Sequence, residues 1–315
     1  MVAIALTSSV RPIRRLYRCT GYCIVARNSR RDRTEESAMP HPDPTTTWSV
    51  FTKPWREPHI GALGELVADM GFDAVELPVR PGYQVTPEHV TTALPAAVRE
   101  LARAGIAVAS VASGTDEATF AACAEAGVPF IRIMVPIGPD GYTATGAAIR
   151  QTLADLSERA ERHGVRVAIQ PHYDDYISDS SELAALLRDV DPRFVAAIWD
   201  AAHDALARKR PENGLELLWP WLGIVNLKSA HYERVGDPAS PDADPVWEPV
   251  FTDARSGMAE WSRAIRYLVA REFTGPICLT AEYTDERDLV AKVTRDLEYA
   301  RSLRTAAQGV AGAVR

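Results

Sequence analysis

From Trp48 onward the chain alternates short apolar, β-branched runs with amphipathic stretches eight times, and few architectures accept that order. Strands are expected near Trp48–Thr52, Asp73–Leu77, Ile106–Ala112, Phe130–Val135, Val165–Pro171, Phe194–Asp200, Ile224–Lys228 and Ile277–Glu282. Between them lie stretches such as HVTTALPAAVRELARAG and AAIRQTLADLSERAERHG. The second puts Ile149, Leu153, Leu156 and Ala160 on one face, with arginines and glutamates opposite. Gly71, Gly105, Gly127 and Gly164 fall just before strands two to five, where a glycine closes the preceding helix. Eight such units in one chain predict a single closed (β/α)8 barrel, placed over residues 46–305. A doubly wound open sheet is the alternative, but no G-x-G-x-x-G follows the first strand to make a dinucleotide site.

The flanks differ from the barrel. Residues 1–33 hold eight arginines and one acid, and a Pro/Thr stretch follows, so residues 1–45 are expected to form a disordered arm. Met39, just ahead of the first strand, is a second candidate start. Residues 306–315 are expected to be a disordered tail. The apolar segment at the N-terminus is too short for an export signal, and no apolar run reaches membrane-spanning length. A net charge of −7 argues against general nucleic-acid binding. Cys19, Cys23, Cys123 and Cys278 form no paired motif, which suits a reducing cytoplasm, and Cys123 and Cys278 read as small buried hydrophobes.

The chemistry concentrates at strand ends in the second half. Gln170, Asp200, Asn226 and Glu282 close the fifth to eighth predicted strands, and such side chains converge on one mouth of a barrel. Two carboxylates and two amides offer oxygen to a common centre, a pocket for a divalent cation or a polyol. Asp200 and His203 also suit a helix N-cap and its first turn. Lys228 suits either proton transfer or an ion pair with Glu282 or Asp200. Arg80, Arg132 and Arg255 are candidates for a substrate anion, with Glu76 beside Arg80 and Trp55 as a sugar-stacking surface. Trp199, Trp219, Trp221 and Trp261 read as packing. The long, Pro- and acid-rich segment from Ala230 to Arg255 reads as a lid or a subunit-contact loop, with a tolerated surface insertion as the alternative.

From Trp48 to Leu303 the chain resembles the xylose-isomerase-like TIM barrel superfamily of sugar phosphate isomerases and epimerases. The carrying residues are DxxH at Asp200–His203, NLK at Asn226–Lys228, GMAEW at Gly257–Trp261 and TAEY with Glu282. The resemblance implies one divalent metal held from the last four strands, a substrate-contacting histidine at His203, and two carboxylates that move a proton between neighbouring carbons. Asp200, His203 and Glu282 match that pattern. Gln170 replaces the first glutamate and Asn226 the metal histidine. Oxygen donors of this kind suit Mg2+ or Mn2+ and disfavour zinc. Glutamine cannot take a proton, so the chemistry would run with Glu282 as base and His172, His203 or Lys228 as acid.

The expected function is therefore a sugar or polyhydroxy-carbonyl isomerase or epimerase, working by metal-assisted proton transfer beside a carbonyl. A lyase or dehydratase using the same enolate chemistry is one alternative. The other is a barrel that binds a polyol or metabolite without turning it over. The expected partner is a small sugar or polyol, with room for a homo-oligomer.

Overall fold

The computed structural model describes residues 46–236 and 244–313, so the expected N-terminal arm lies outside the described residues. Ten strands and nine α-helices follow one another among those residues. β1 (Trp48–Phe51), α1 (Ile60–Asp69), β2 (Ala74–Pro78), α2 (Val90–Arg103), β3 (Ala107–Ala112), α3 (Glu117–Ala126), β4 (Phe130–Ile133) and α4 (Gly141–His163) make the first half. The second half is β5 (Arg166–Ile169), α5 (Ser180–Leu187), β6 (Val195–Asp200), α6 (Ala201–Leu206), α7 (Pro211–Leu218), β7 (Leu222–Leu227), β8 (Ser229–Val235), β9 (Val246–Thr252), α8 (Trp261–Ala270), β10 (Ile277–Leu279) and α9 (Leu289–Ala313).

Eight strands close into an all-parallel barrel in the order β1-β10-β7-β6-β5-β4-β3-β2, as the eightfold alternation predicts. Closure joins first to last through Trp48↔Ile277 and Val50↔Leu279. Gly127 and Gly164 sit at φ 70° and 65° and end α3 and α4, where the left-handed backbone favours glycine. The barrel carries two cores, because strand side chains alternate between two faces. The outer core lies between strands and helices and includes Val75, Ile131, Val167, Leu153 and Leu156. The inner core fills the barrel with Phe51, Ala112, Phe130, Ala168, Ala196, Ile198, Ile224 and Cys278. Cys123 and Cys278 are both buried free thiols, and burial pushes the Cys123 thiol up to about 12.

Two expectations change. The segment after β7 is an antiparallel ribbon, β8 against β9, with Tyr232 opposite Pro249 and Arg234 opposite Trp247. Alternation of His231, Glu233 and Val235 with Tyr232 and Arg234 is compatible with two-sided strands once the chain folds back on itself. The expected C-terminal tail from residue 306 is instead part of α9, which continues to Ala313 and buries Ala307.

Candidate active site

The inner face of each strand is set by parity, and the inward rows of β1, β6, β7 and β10 lead to polar groups at the C-terminal mouth. On β1 the row runs Ser49, Phe51, Lys53. On β6 it is Ala196, Ile198, Asp200, and on β7 Ile224, Asn226, Lys228. Register places Asp200 beside Asn226, and Asn226 beside Cys278. The row Cys278, Thr280, Glu282 completes the circle past the end of β10. Ala281 adopts φ 51°, a left-handed conformation costly for a residue with a Cβ, immediately before Glu282.

At the centre stands an ion-pair chain. The Lys228 ammonium is buried and lies 3.1 Å from Glu282 Oε2 and 3.8 Å from Asp200 Oδ2. The Lys53 ammonium lies 2.6 Å from Glu282 Oε1. Burial opposes charge on Glu282, but Lys228 and Lys53 outweigh it and hold the carboxyl well below the usual carboxylate range. Burial also opposes the Lys228 charge, and Asp200 and Glu282 reverse that and raise its pKa. Burial works against Asp200 too; His203, Lys228 and the Gln170 amide more than offset it, and its pKa falls.

Asp200 does two jobs. Its Oδ1 accepts the Ala202 and His203 backbone N–H groups and caps α6, as an N-cap aspartate should. Its Oδ2 accepts a 2.7 Å hydrogen bond from the Gln170 amide nitrogen. The Gln170 oxygen in turn accepts from Arg132 Nη1 at 2.6 Å. Arg132 also pairs with buried Glu76 at 2.7 Å, and Ser110 donates to the other Glu76 oxygen. Glu76 and Arg132 are thus joined to each other within the polar layer of the barrel.

The histidines line the same space. The Tyr173 backbone N–H donates to His203 Nδ1 at 3.3 Å, which leaves the proton of the neutral ring on Nε2. Burial drives the His203 pKa down to about 3, so the ring is neutral near pH 7. Its Nε2 is buried without a hydrogen-bond partner, 3.9 Å from Asp200 Oδ2. Asn226 Oδ1 is likewise buried and unpartnered. The His172 ring lies 4.8 Å from that of His203 and stacks on Tyr173 at 4.7 Å. Its Nδ1 is 2.9 Å from the Tyr173 carbonyl, so Nδ1 donates and Nε2 is the basic nitrogen. Burial, with Lys228 nearby, lowers its pKa.

The donor set can be tested against a divalent ion. A metal needs amide oxygen, yet Gln170 turns its nitrogen toward Asp200. Flipping the amide would set its NH2 against the Arg132 guanidinium, donor against donor. The two carboxylates are matched by two ammonium groups, so the cluster of Asp200, Glu282, Lys228 and Lys53 carries no net charge. At an effective dielectric of 20, a divalent ion 4 Å from one ammonium is repelled by about 8 kcal/mol, cancelling its attraction to one carboxylate. Among the described residues no three His, Cys, Asp or Glu side chains form a metal-holding group. The residues as they stand do not fit the Mn2+ or Mg2+ site that the resemblance implies.

Sequence reasoning does not find Lys53, one parity step past β1, although Ser49 and Phe51 already point the way. Nor does it find Phe251 on β9, whose ring is 4.9 Å from the Lys228 ammonium and borders Tyr173 and His203. The base of the ribbon is thus a wall of the mouth. Arg255 lies elsewhere: its guanidinium sits 4.2 Å over the Tyr299 ring of α9. Trp55 is partly buried and packs against the outer core. Trp199 and Trp261 are buried as expected, their indole N–H groups bonded to Asp204 and to the Lys228 carbonyl.

Solved structures share this fold over most of the chain. A xylose isomerase-like TIM barrel protein from Mycobacterium smegmatis, in complex with magnesium, is 18% identical, with 84% of this chain and 98% of that one covered and a TM-score of 0.60. A 3-keto-D-glucoside 4-epimerase from E. coli is 15% identical over 82% of this chain and 100% of its own, with a TM-score of 0.62. A probable 3-DHS dehydratase from Bacillus anthracis is 13% identical over 80% and 98%, with a TM-score of 0.60. At these identities the likeness is one of fold. No curated protein matches the chain. The family model for xylose isomerase-like TIM barrels matches residues 65–305, and the chain belongs to that family.

Proposed function

We propose that the chain is an isomerase or epimerase that moves a proton beside the carbonyl of a polyhydroxy substrate, with lysine ammonium groups where the resemblance implies a metal ion. The observation that carries this reading is the pair of orphaned buried groups flanking Asp200: the His203 Nε2–H donor and the Asn226 Oδ1 acceptor. Each unmet polar group costs about 1–3 kcal/mol, and a hydroxyl, both donor and acceptor, satisfies either kind. Epimerases among the structural neighbours lend the reading further support.

In this reading the substrate carbonyl oxygen binds the Lys53 and Lys228 ammonium groups. Glu282 takes the proton from the adjacent carbon, and the electron pair moves onto the carbonyl oxygen as an enediolate, stabilised by the two cations. When a substrate oxygen draws Lys53 away, Glu282 loses one of the two partners that suppress its basicity. His172, neutral and with Nε2 as its basic nitrogen, is the second group able to carry a proton. Glu282 returns the proton to the neighbouring carbon, giving an isomer. For an epimer, His172 takes a proton from solvent on Nε2 and delivers it to the opposite face, while Glu282 releases its own to solvent.

Incubation with a panel of aldoses, ketoses and polyhydroxy acids, with products resolved by NMR, tests the reading. Isomeric products lost in Glu282→Gln support it. An unsaturated product with loss of water would instead assign a dehydratase. A compound that raises the melting temperature and is recovered unchanged would assign a binding protein.

A further inference from the structure

Beside the ion-pair cluster opens a second space, a cavity of about 480 Å³ lined by Arg80, Arg132, Ser113, Thr115, Met134 and Tyr176 among others. Its volume falls within the range of small-molecule sites. Two guanidiniums approach one aromatic ring from this side: Arg132 lies 4.5 Å and Arg80 6.0 Å from the Phe51 centroid. They are not equivalent. Arg132 is neutralised by Glu76, although its Nε is buried without a partner. Arg80 is half-buried, and among the described residues no carboxylate forms a salt bridge with it. Burial and the like charge of Arg132 both disfavour its cationic form.

A cation placed in a cleft, beside a second cation and with Glu76 and Glu282 attracting it only from beyond salt-bridge distance, has an energetic reason to take an anion. We propose that the substrate of the proton transfer is a polyhydroxy acid, whose carboxylate binds Arg80 while its hydroxyl and carbonyl groups reach the Asp200–Lys228–Glu282 cluster. The placement of the hydroxyl and carbonyl groups rests on the isomerase reading; the binding of the carboxylate by Arg80 does not. One guanidinium without a salt bridge matches the single charge and planar fork of a carboxylate better than the double charge of a phosphate.

The test is calorimetric binding to the full chain and to Arg80→Gln. The probes are D-glucuronate and D-galacturonate, their neutral counterparts D-glucose and D-galactose, and D-glucose 6-phosphate. The expected result is tighter binding of the acids than of the neutral sugars, reduced about ten- to a hundredfold in Arg80→Gln. The affinity of the neutral sugars should not change. Arg80→Gln should melt with the parent, since it breaks no ion pair. Acids that bind no better than neutral sugars, or equally well to both proteins, would overturn the proposal, and so would preference for the phosphate. The two readings fail separately. Arg80-dependent acid binding without turnover would leave the anion site standing and sink the isomerase. Turnover of neutral sugars, indifferent to Arg80→Gln, would do the reverse.

Discussion

Lys228 and Glu282 reach the mouth of the barrel from neighbouring strands and meet at 3.1 Å, with Asp200 3.8 Å from the same ammonium. One buried cation thereby holds two carboxylates together at the point where strand ends converge. Because the cluster is balanced internally, it keeps its charges in place without an added ion. It also presents donors to any substrate oxygen that competes for them.

Lys228→Met should remove that balance. Asp200 and Glu282 would then face each other with only Lys53 to offset them, and stability should fall by about 3 kcal/mol, the usual cost of stranding a buried charge. Urea denaturation measures this. Turnover should be lost as well, whereas a merely structural lysine would lower stability and leave the residual folded enzyme active.

Phe251→Ala should affect binding more than folding. The ring is half-exposed, borders Tyr173 and His203, and lies over the Lys228 ammonium. Its loss should cost about 1–2 kcal/mol of stability, through lost packing and the cation–π contact. KM should rise several-fold as water enters the mouth. An unchanged KM would detach the ribbon from the site.

Gly214 tests packing behind the site. A Cβ there would land on the Asp204 carboxylate and within 2.7 Å of the Trp199 indole nitrogen. Trp199 donates to Asp204 at 2.7 Å, and both are buried. Gly214→Ala should push α7 off β6 and destabilise the fold by about 3 kcal/mol, typical of overpacking. Chemical denaturation that finds the variant as stable as the parent would contradict this geometry.

Asp204 also carries a pH signature. Burial raises its carboxyl to about 6, against the hydrogen bonds it accepts from Ser180 and Trp199. A folded pKa above the unfolded one means that its stabilising contribution is complete below the ordinary carboxylate pKa and is lost as pH rises through about 6. The stability of the parent relative to Asp204→Asn should therefore fall by roughly 2 kcal/mol between pH 4 and pH 8. A flat difference over that range would show that Asp204 is charged throughout.

Much of the barrel and of its mouth is legible in the sequence, because strand parity and strand ends are local properties. The eight apolar runs, the glycines at Gly127 and Gly164, and the polar termini at Gln170, Asp200, Asn226 and Glu282 follow from alternation alone. The direction of each polar group does not. Gln170 reads as an oxygen donor until Arg132, from the adjacent strand, claims that oxygen. Lys53 lies 229 residues from Glu282, and no spacing rule links them. Arg255 follows the ribbon toward the mouth in sequence, but Tyr299 of α9 takes it away. The ribbon is hidden because its apolar groups include Tyr232 and Trp247, which remain exposed, so no buried face announces two strands.

The most direct test of the central claim is proton exchange at carbon in chelator-treated enzyme. The protein, freed of divalent ions with EDTA, would be incubated in D2O with the substrate panel and followed by proton NMR. Deuterium is expected to enter the position beside the carbonyl at the rate of the untreated enzyme, with no entry in Glu282→Gln. Exchange that disappears with EDTA and returns with Mn2+ or Mg2+ would contradict the metal-free proton transfer, and so would the absence of exchange across the panel.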